Sequence, residues 1–238
     1  MKASILVTVP SLALSLLGVA AQAGEMNVAM NETMNESMSG EQAMTARYRV
    51  DFERTWSSDS HEADFPLLAH FSPVIGVTQA QGYELIQPGR QASSGLETLC
   101  ETGKHQPLDA EIESAMASGQ VGALIETSDP LRDVPQTAMA EFEVDTLHPT
   151  VTIAAMIAPS PDWCAVATDV PLVQDGKFAD RVSADLVAWD MGTDSASSYR
   201  ALDSDSKPRG QIMMSDSPYF QKNGAANPVG KVTFTRLP

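Results

Sequence analysis

The sequence predicts an all-β domain of antiparallel strands with one or two short inserted helices. Three observations carry this. Several stretches alternate apolar and polar residues with a period of two, as half-buried strands do. Gly and Pro number 15 each in 238 residues while aromatics are only 6%, a turn-rich composition that suits sheets better than a helical bundle. Strands also open and close the pattern, as in sandwiches whose first and last strands are neighbours.

Taken in order, Arg47 to Glu53 places Tyr48, Val50 and Phe52 on one face and Arg47, Arg49, Asp51 and Glu53 on the other. Between Ser93 and Gly119 the period changes. Leu96 to Glu101, before Gly103, reads as a short helical turn, and Leu108, Ile112 and Met116 recur every four residues until Gly119, where a helix would stop. Alternation returns at Ala138 to Asp145, with Ala140, Phe142 and Val144 inward, and around Val151, Ile153 and Ile157. Trp163 to Ala167 and Asp185 to Trp189 are shorter strand candidates, and Val229 to Leu237 closes the chain with Val232 and Phe234 inward.

The first 44 residues differ. Lys2, the apolar run Ile5 to Ala20 and the small-residue exit Ala21-Gln22-Ala23 form a signal-peptide pattern, so residues 1–23 are expected to be cleaved. The run is a little short for a membrane span, which is why a retained anchor is the weaker alternative. Residues 24–44 interleave Met26, Met30, Met34, Met38 and Met44 with Asn, Glu, Ser and Gly, a flexible lead-in by composition. Its methionine spacing admits a soft Cu(I) site, hence a periplasmic metal-handling protein, or an oxidant sink. Asn31-Glu32-Thr33 and Asn35-Glu36-Ser37 match the N-glycosylation acceptor pattern, which counts only in a eukaryotic host. Residues 45–238 form the globular domain, and no later segment is apolar enough to cross a bilayer. The expected product is secreted or periplasmic.

Thirty-one acidic residues against 15 basic ones give a net charge of -16, which excludes a nucleic-acid binder because a polyanion would be repelled. The apolar content of 43% suffices for one core. Cys100 and Cys164, the only cysteines, would pair in an oxidising compartment. A buried thiol pair or a nucleophilic cysteine are the alternatives, and nothing around either resembles a nucleophile motif.

Catalytic signatures are scarce. Phosphate loop, nucleophile elbow and H-E-x-x-H are all missing, and His61, His70, His105 and His148 make no local metal site by spacing. Asp203-Ser204-Asp205 begins like a calcium loop, but Pro208 and Met214 stand where an EF-hand needs Gly and Glu. Carboxylates on other loops are more informative. Asp162 follows two prolines at the start of a strand, and Asp190 and Asp194 flank the tight loop Met191-Gly192-Thr193. Two such loops at one end of a sandwich could converge oxygen ligands on Ca²⁺, which takes six to eight of them. Capping aspartates in Asx turns are the plain alternative. A metal-dependent hydrolase using Asp162, Asp190 and Asp194 to activate water is another, without aromatic sugar platforms to support glycoside chemistry.

At these residues the chain resembles a known family. Ala158-Pro159-Ser160-Pro161-Asp162-Trp163 followed by Trp189-Asp190-Met191-Gly192-Thr193-Asp194-Ser195 is similar to the paired signature of the spondin N-terminal domain of F-spondin and mindin. Tyr48-Arg49-Val50 to Thr55-Trp56-Ser57, Pro66 to Ala69-His70-Phe71-Ser72-Pro73, Gly89 to Ala92-Ser93-Ser94-Gly95-Leu96 and Glu101-Thr102-Gly103 agree in order and spacing. The resemblance runs from about Thr45 to Pro238. It implies a C2-like antiparallel β-sandwich that binds Ca²⁺ through Asp162, Asp190, Asp194 and loop carbonyls. It also implies a non-enzymatic role in adhesion or recognition of an extracellular or cell-surface protein or glycan. Cys100 and Cys164 stand where the family usually carries Ala and an aromatic, so their disulfide is a local addition. Ala196 stands where Gly is common, which should alter that loop slightly. Thrombospondin-type repeats do not follow, so the expectation is a single-domain, bacterial member, to which integrin binding by the animal proteins does not transfer.

Overall fold

The structure is a computed structural model and describes residues 43–238. The expected leader and nearly all of the lead-in, with its methionine and glycosylation motifs, lie outside the described residues. Residues Met44–Pro238 form one compact unit.

Its elements are β1 (Thr45–Arg54), β2 (His70–Phe71), β3 (Ile75–Gln79), helices α1 (Ser94–Thr102) and α2 (Leu108–Ala117), β4 (Val121–Glu126), β5 (Gln136–Asp145), β6 (Thr150–Ala158) and β7 (Trp163–Pro171). There follow β8 (Val173–Gln174), β9 (Lys177–Phe178), β10 (Arg181–Asp190), β11 (Met213–Met214), β12 (Gln221–Lys222), β13 (Ala225–Ala226) and β14 (Gly230–Arg236). The main sheet runs β4-β3-β6-β7-β10-β14-β1-β5, with β2 added on β6 and β11 on β10. Its neighbouring strands pair antiparallel, and β8-β9 and β12-β13 are separate hairpins. The result is the expected all-β antiparallel sandwich with two helices.

The sheet folds on itself through β10. Its first part, Arg181 to Leu186, pairs with β14, and its last part, Val187 to Asp190, pairs with β7. Past Leu186 the β14 edge is taken over by β11, which pairs at Trp189 and Asp190. One strand thereby belongs to both layers and carries Asp190 to the end of the sandwich. First and last strands pair, as expected, with Tyr48 opposite Arg236 and Arg54 opposite Gly230.

Two cores result. The inner one packs Tyr48, Val50 and Phe52 of β1, Phe142 and Val144 of β5, and Val232 and Phe234 of β14 against Val151, Ile153, Ala155 and Ile157 of β6 and Trp163, Ala165 and Ala167 of β7. The outer one lies between the far face of that second layer and the helices, where Ile75, Val77, Ala154, Val166 and Trp189 meet Leu96, Leu99, Leu108 and Ile112. This corrects the reading of β6 as an alternating strand. Both its faces are covered, so it is buried almost throughout, as strands between two layers are. The second helix buries Leu108, Ile112 and Ala115, not Met116, which is 37% exposed. A period of 3.6 brings position 115 round to the sheet more closely than 116.

Both helices have identifiable ends. The Ser93 hydroxyl accepts from Leu96 N at 3.1 Å and caps α1, and Gly103 in the left-handed region closes it, its N–H donating to Leu99 O at 2.8 Å. Cys100 on α1 and Cys164 on β7 form a disulfide, Cα atoms 5.3 Å apart, that binds the helix layer to the sheet. In the chain-entropy view, closing this loop of 64 residues contributes on the order of 4 kcal/mol. Among the described residues no helix is long and apolar enough to cross a membrane.

Candidate metal centre

The end of the sandwich reached by β7 and β10 gathers the acidic loops. Asp190 lies opposite Trp163 in the β10–β7 pairing, and Asp162 immediately precedes that position. The Pro159-Ser160-Pro161 turn that delivers Asp162 is closed by Ser160, whose hydroxyl accepts from Trp163 N at 3.2 Å.

Each aspartate has its own set of donors. Asp190 accepts from Gly192 N at 2.8 Å on Oδ1 and from Trp163 Nε1 at 3.2 Å on Oδ2. Asp194 accepts from Ala196 N at 2.7 Å on Oδ1 and from Ser204 N at 3.1 Å on Oδ2, so it ties both ends of the loop between them. Ala196 therefore serves the loop where the family pattern has Gly. In both aspartates one oxygen also closes an Asx turn, the structural use weighed against ligation. Gly192 is required here. Its φ is +70°, and a Cβ would stand 2.6 Å from the backbone carbon of Gly210.

Asp162 is different. It is fully buried, and Oδ2 accepts from Thr193 N at 2.8 Å, Asp194 N at 3.2 Å and the Thr193 hydroxyl at 3.3 Å. Its Oδ1 is buried with no hydrogen-bond partner. Burial, followed by the charge of Asp190, pushes the carboxyl up to about 6 from an ordinary 3.8, against the backbone donors and with Asp194 adding further repulsion. A buried carboxylate oxygen without a donor, beside two other carboxylates, is a position that a bound cation satisfies.

The structure adds a residue that sequence spacing missed. Glu101, in the last turn of α1, lies near the same loops. Burial pushes its carboxyl up, the nearby Thr193 hydroxyl opposes this, and Glu97, Asp203 and Asp194 add repulsion. Beside Thr193 a cleft of about 230 Å³ is lined also by Glu97, Asp205, Ser206, Lys207 and Arg209. Among the described residues no group of three or more His, Cys, Asp or Glu side chains already converges as a metal-holding cluster. The loops bring Asp162, Asp190 and Asp194 together, with each carboxylate turned to its own N–H donors. The histidines belong to other contacts: His61 with Ser60 and Asn227, His70 with Leu68, His105 with Glu126, and His148 with Asp145.

Fold and site together define a class: an antiparallel β-sandwich with helices over one layer and an acidic loop cluster at one end. The Spondin_N family model matches residues 46–228, and the chain belongs to that family. It is 30% identical over 208 residues to Spondin-1 of Gallus gallus, covering 81% of this chain and 26% of the relative. Spondin-1 of Homo sapiens is 29% identical over 208 residues, covering 81% and 25%. Spondin-2 of Rattus norvegicus is 27% identical over 224 residues, covering 87% and 68%. The chain spans about a quarter of the length of the Spondin-1 proteins it matches.

Proposed function

We propose that the protein is an exported, non-catalytic recognition module that takes up Ca²⁺ at its acidic end and there meets an extracellular or cell-surface protein or glycan. One observation carries the cation: the buried, unpartnered Oδ1 of Asp162 among like charges. Asp162, Asp190 and Asp194 would hold it together with carbonyls of the same loops. Hard oxygen donors of this kind suit Ca²⁺ over softer metals. Each carboxylate already bonded to an N–H keeps lone pairs for an ion. A bound Ca²⁺ supplies charge neutralisation and ties the loops at this end to one another. This chain's own residues set the loops: Asp194 pins its loop at Ala196 and Ser204, and Asp190 closes the turn at Gly192. Export rests on the leader pattern, and the recognition role on family membership.

Calorimetry and thermal unfolding of residues 24–238 test this. Calcium is expected to give a binding isotherm and to raise the melting temperature. At a hundredfold excess over Kd the stabilisation is about 2.7 kcal/mol. Affinity should fall as pH drops through about 6, because a proton competes for Asp162. No heat, together with the same melting temperature in calcium and in chelator, overturns the reading.

A further inference from the structure

The outer strands of the main sheet, β4 and β5, each have a single hydrogen-bonded neighbour among the described residues, β3 and β1 respectively. They approach each other without pairing, so the sandwich comes close to closing and does not. Where β4 ends and β5 begins, a cleft of about 630 Å³ separates them, and Glu126, Asp129, Leu131, Gln136, Thr137 and Met139 contribute to its walls.

The gap is set by the connection between the two strands, residues 127–135, which is tied to other elements. Val74 N donates to the Thr127 hydroxyl at 2.9 Å, and Thr127 N donates to Val74 O at 3.0 Å. Phe71 of β2 and Leu131 exchange two backbone hydrogen bonds, both of 3.0 Å. The buried guanidinium of Arg54, at the end of β1, donates to Arg132 O at 2.7 Å. Gln136 Oε1 accepts from Arg132 N at 2.6 Å and from Asp133 N at 2.8 Å. A link fixed at so many points holds the strands apart here and gives the cleft a preformed wall.

An outer strand turns alternate N–H and C=O groups away from its one partner, and proteins commonly blunt such an edge with charge or proline. The second half of β5 has Glu141, Glu143 and Asp145, but Gln136 to Ala140 is uncharged, as is β4 from Val121 to Ile125. Both edges are therefore bare beside the cleft. Two apolar side chains stand out there, Met139 at 63% exposure and Val134 at 42%.

Charge selects the occupant. Glu126 and Asp129 line the cleft, whereas no Lys or Arg does. A second copy of this chain, at a net charge of -16, is repelled, and so is its own segment 24–44, which has Glu25, Glu32, Glu36 and Glu41 and no base.

We propose that the β4–β5 cleft is a strand-addition site for an extended segment of a partner protein. The segment lies along the free edge of β5, with an apolar side chain on Met139 and a basic one toward Glu126 and Asp129. Main-chain hydrogen bonds hold such a segment, and its alternate side chains provide the selectivity. The site does not depend on calcium.

Random hexapeptides displayed on phage, selected in chelator against residues 24–238, test this. One enriched hexapeptide is then synthesised and titrated by fluorescence anisotropy. Enriched sequences are expected to contain Lys or Arg and to lack Pro. Of two copies N-methylated at alternate backbone positions, at least one should bind about tenfold more weakly, because methylation removes the donors that meet the strand edge. Met139→Lys and Glu126→Gln/Asp129→Asn should each weaken binding by about tenfold, with circular dichroism unchanged. Peptide addition should slow amide exchange at Thr137 to Ala140. No enrichment, enrichment of acidic sequences, full affinity in both N-methylated copies, or slowed exchange only elsewhere in the domain would each overturn the proposal and leave the calcium reading standing.

Discussion

The two ends of the sandwich use the same residue type in opposite ways. At one end Asp145 closes β5: its Oδ1 accepts from Leu147 N and His148 N, both at 2.8 Å, and the imidazole of His148 lies 2.9 Å from both carboxylate oxygens. At the other end Asp162 accepts three hydrogen bonds on one oxygen and none on the other. Burial opposes ionisation at both. At Asp145 the donors outweigh it and hold the carboxyl below its usual range, whereas at Asp162 burial and the charge of Asp190 prevail. Satisfied carboxylates finish a fold. The carboxylate left short of donors in a buried, negative place is the one for which we propose a cation partner.

Three experiments break or sharpen that contrast. The largest effect is expected from the two ends' glycines. Gly192→Ala puts a Cβ 2.6 Å from the Gly210 backbone at a φ of +70° and should cost roughly 3 kcal/mol. Gly119, whose carbonyl lies 3.1 Å from His148 Nε2, has a φ of +74° with nothing within 4 Å, so Gly119→Ala should cost only about 1 kcal/mol. Urea unfolding measures both, and equal losses would mean the acidic loop yields as freely as an open turn.

Next come the aspartates themselves. In calcium-free buffer at pH 7, Asp162→Asn removes a buried charge and should raise the unfolding free energy by about 1 kcal/mol, while abolishing the gain from calcium. Asp145→Asn removes an acceptor from a satisfied turn and should lower it by a similar amount. A loss at both positions would erase the distinction between the two ends.

The smallest effect is the pH dependence. Because the folded pKa of Asp162 is raised to about 6 from 3.8, its contribution is fully present below 3.8 and is lost as pH rises through 6. Lowering pH from 7 to 5 without calcium should therefore add about 1 kcal/mol from this group. Asp145, with its pKa lowered, contributes above 3.8 and loses that contribution only as pH falls further. Asp162→Asn should flatten the upper limb and leave the lower one. A wild-type profile flat between pH 7 and 5 would show that Asp162 is not destabilised by its site.

The same structural logic separates what the sequence makes legible from what it hides. β1, β5 and β14 read directly, because one face of each meets the inner core and the other is more exposed, so the period of two is written in their residues. β6 and β7 have helices on their far side and show runs instead. β3 escapes because it is five residues long with Gly76 as its second residue, where a Cβ would meet Thr152 O at 2.8 Å. The loops bearing Asp162, Asp190 and Asp194 were marked by prolines, a glycine and the family signature. Nothing in its local spacing connects Glu101 to these loops, because it comes near them only through the docking of α1 on the sheet. Its signal is indirect: an acid in the last turn of a helix, next to a cysteine and two residues before the capping Gly103.

The pairing of first and last strands gives the domain a handle and a head. β1 starts beside the end of β14, and β10 leaves that same end to run toward Asp190 at the opposite one. Chain entering and leaving the domain therefore does so from the Asp145 end. The points at which β1 begins and β14 ends are thus remote from Asp190, so a tether or neighbouring module joined there is attached at the end away from the acidic loops.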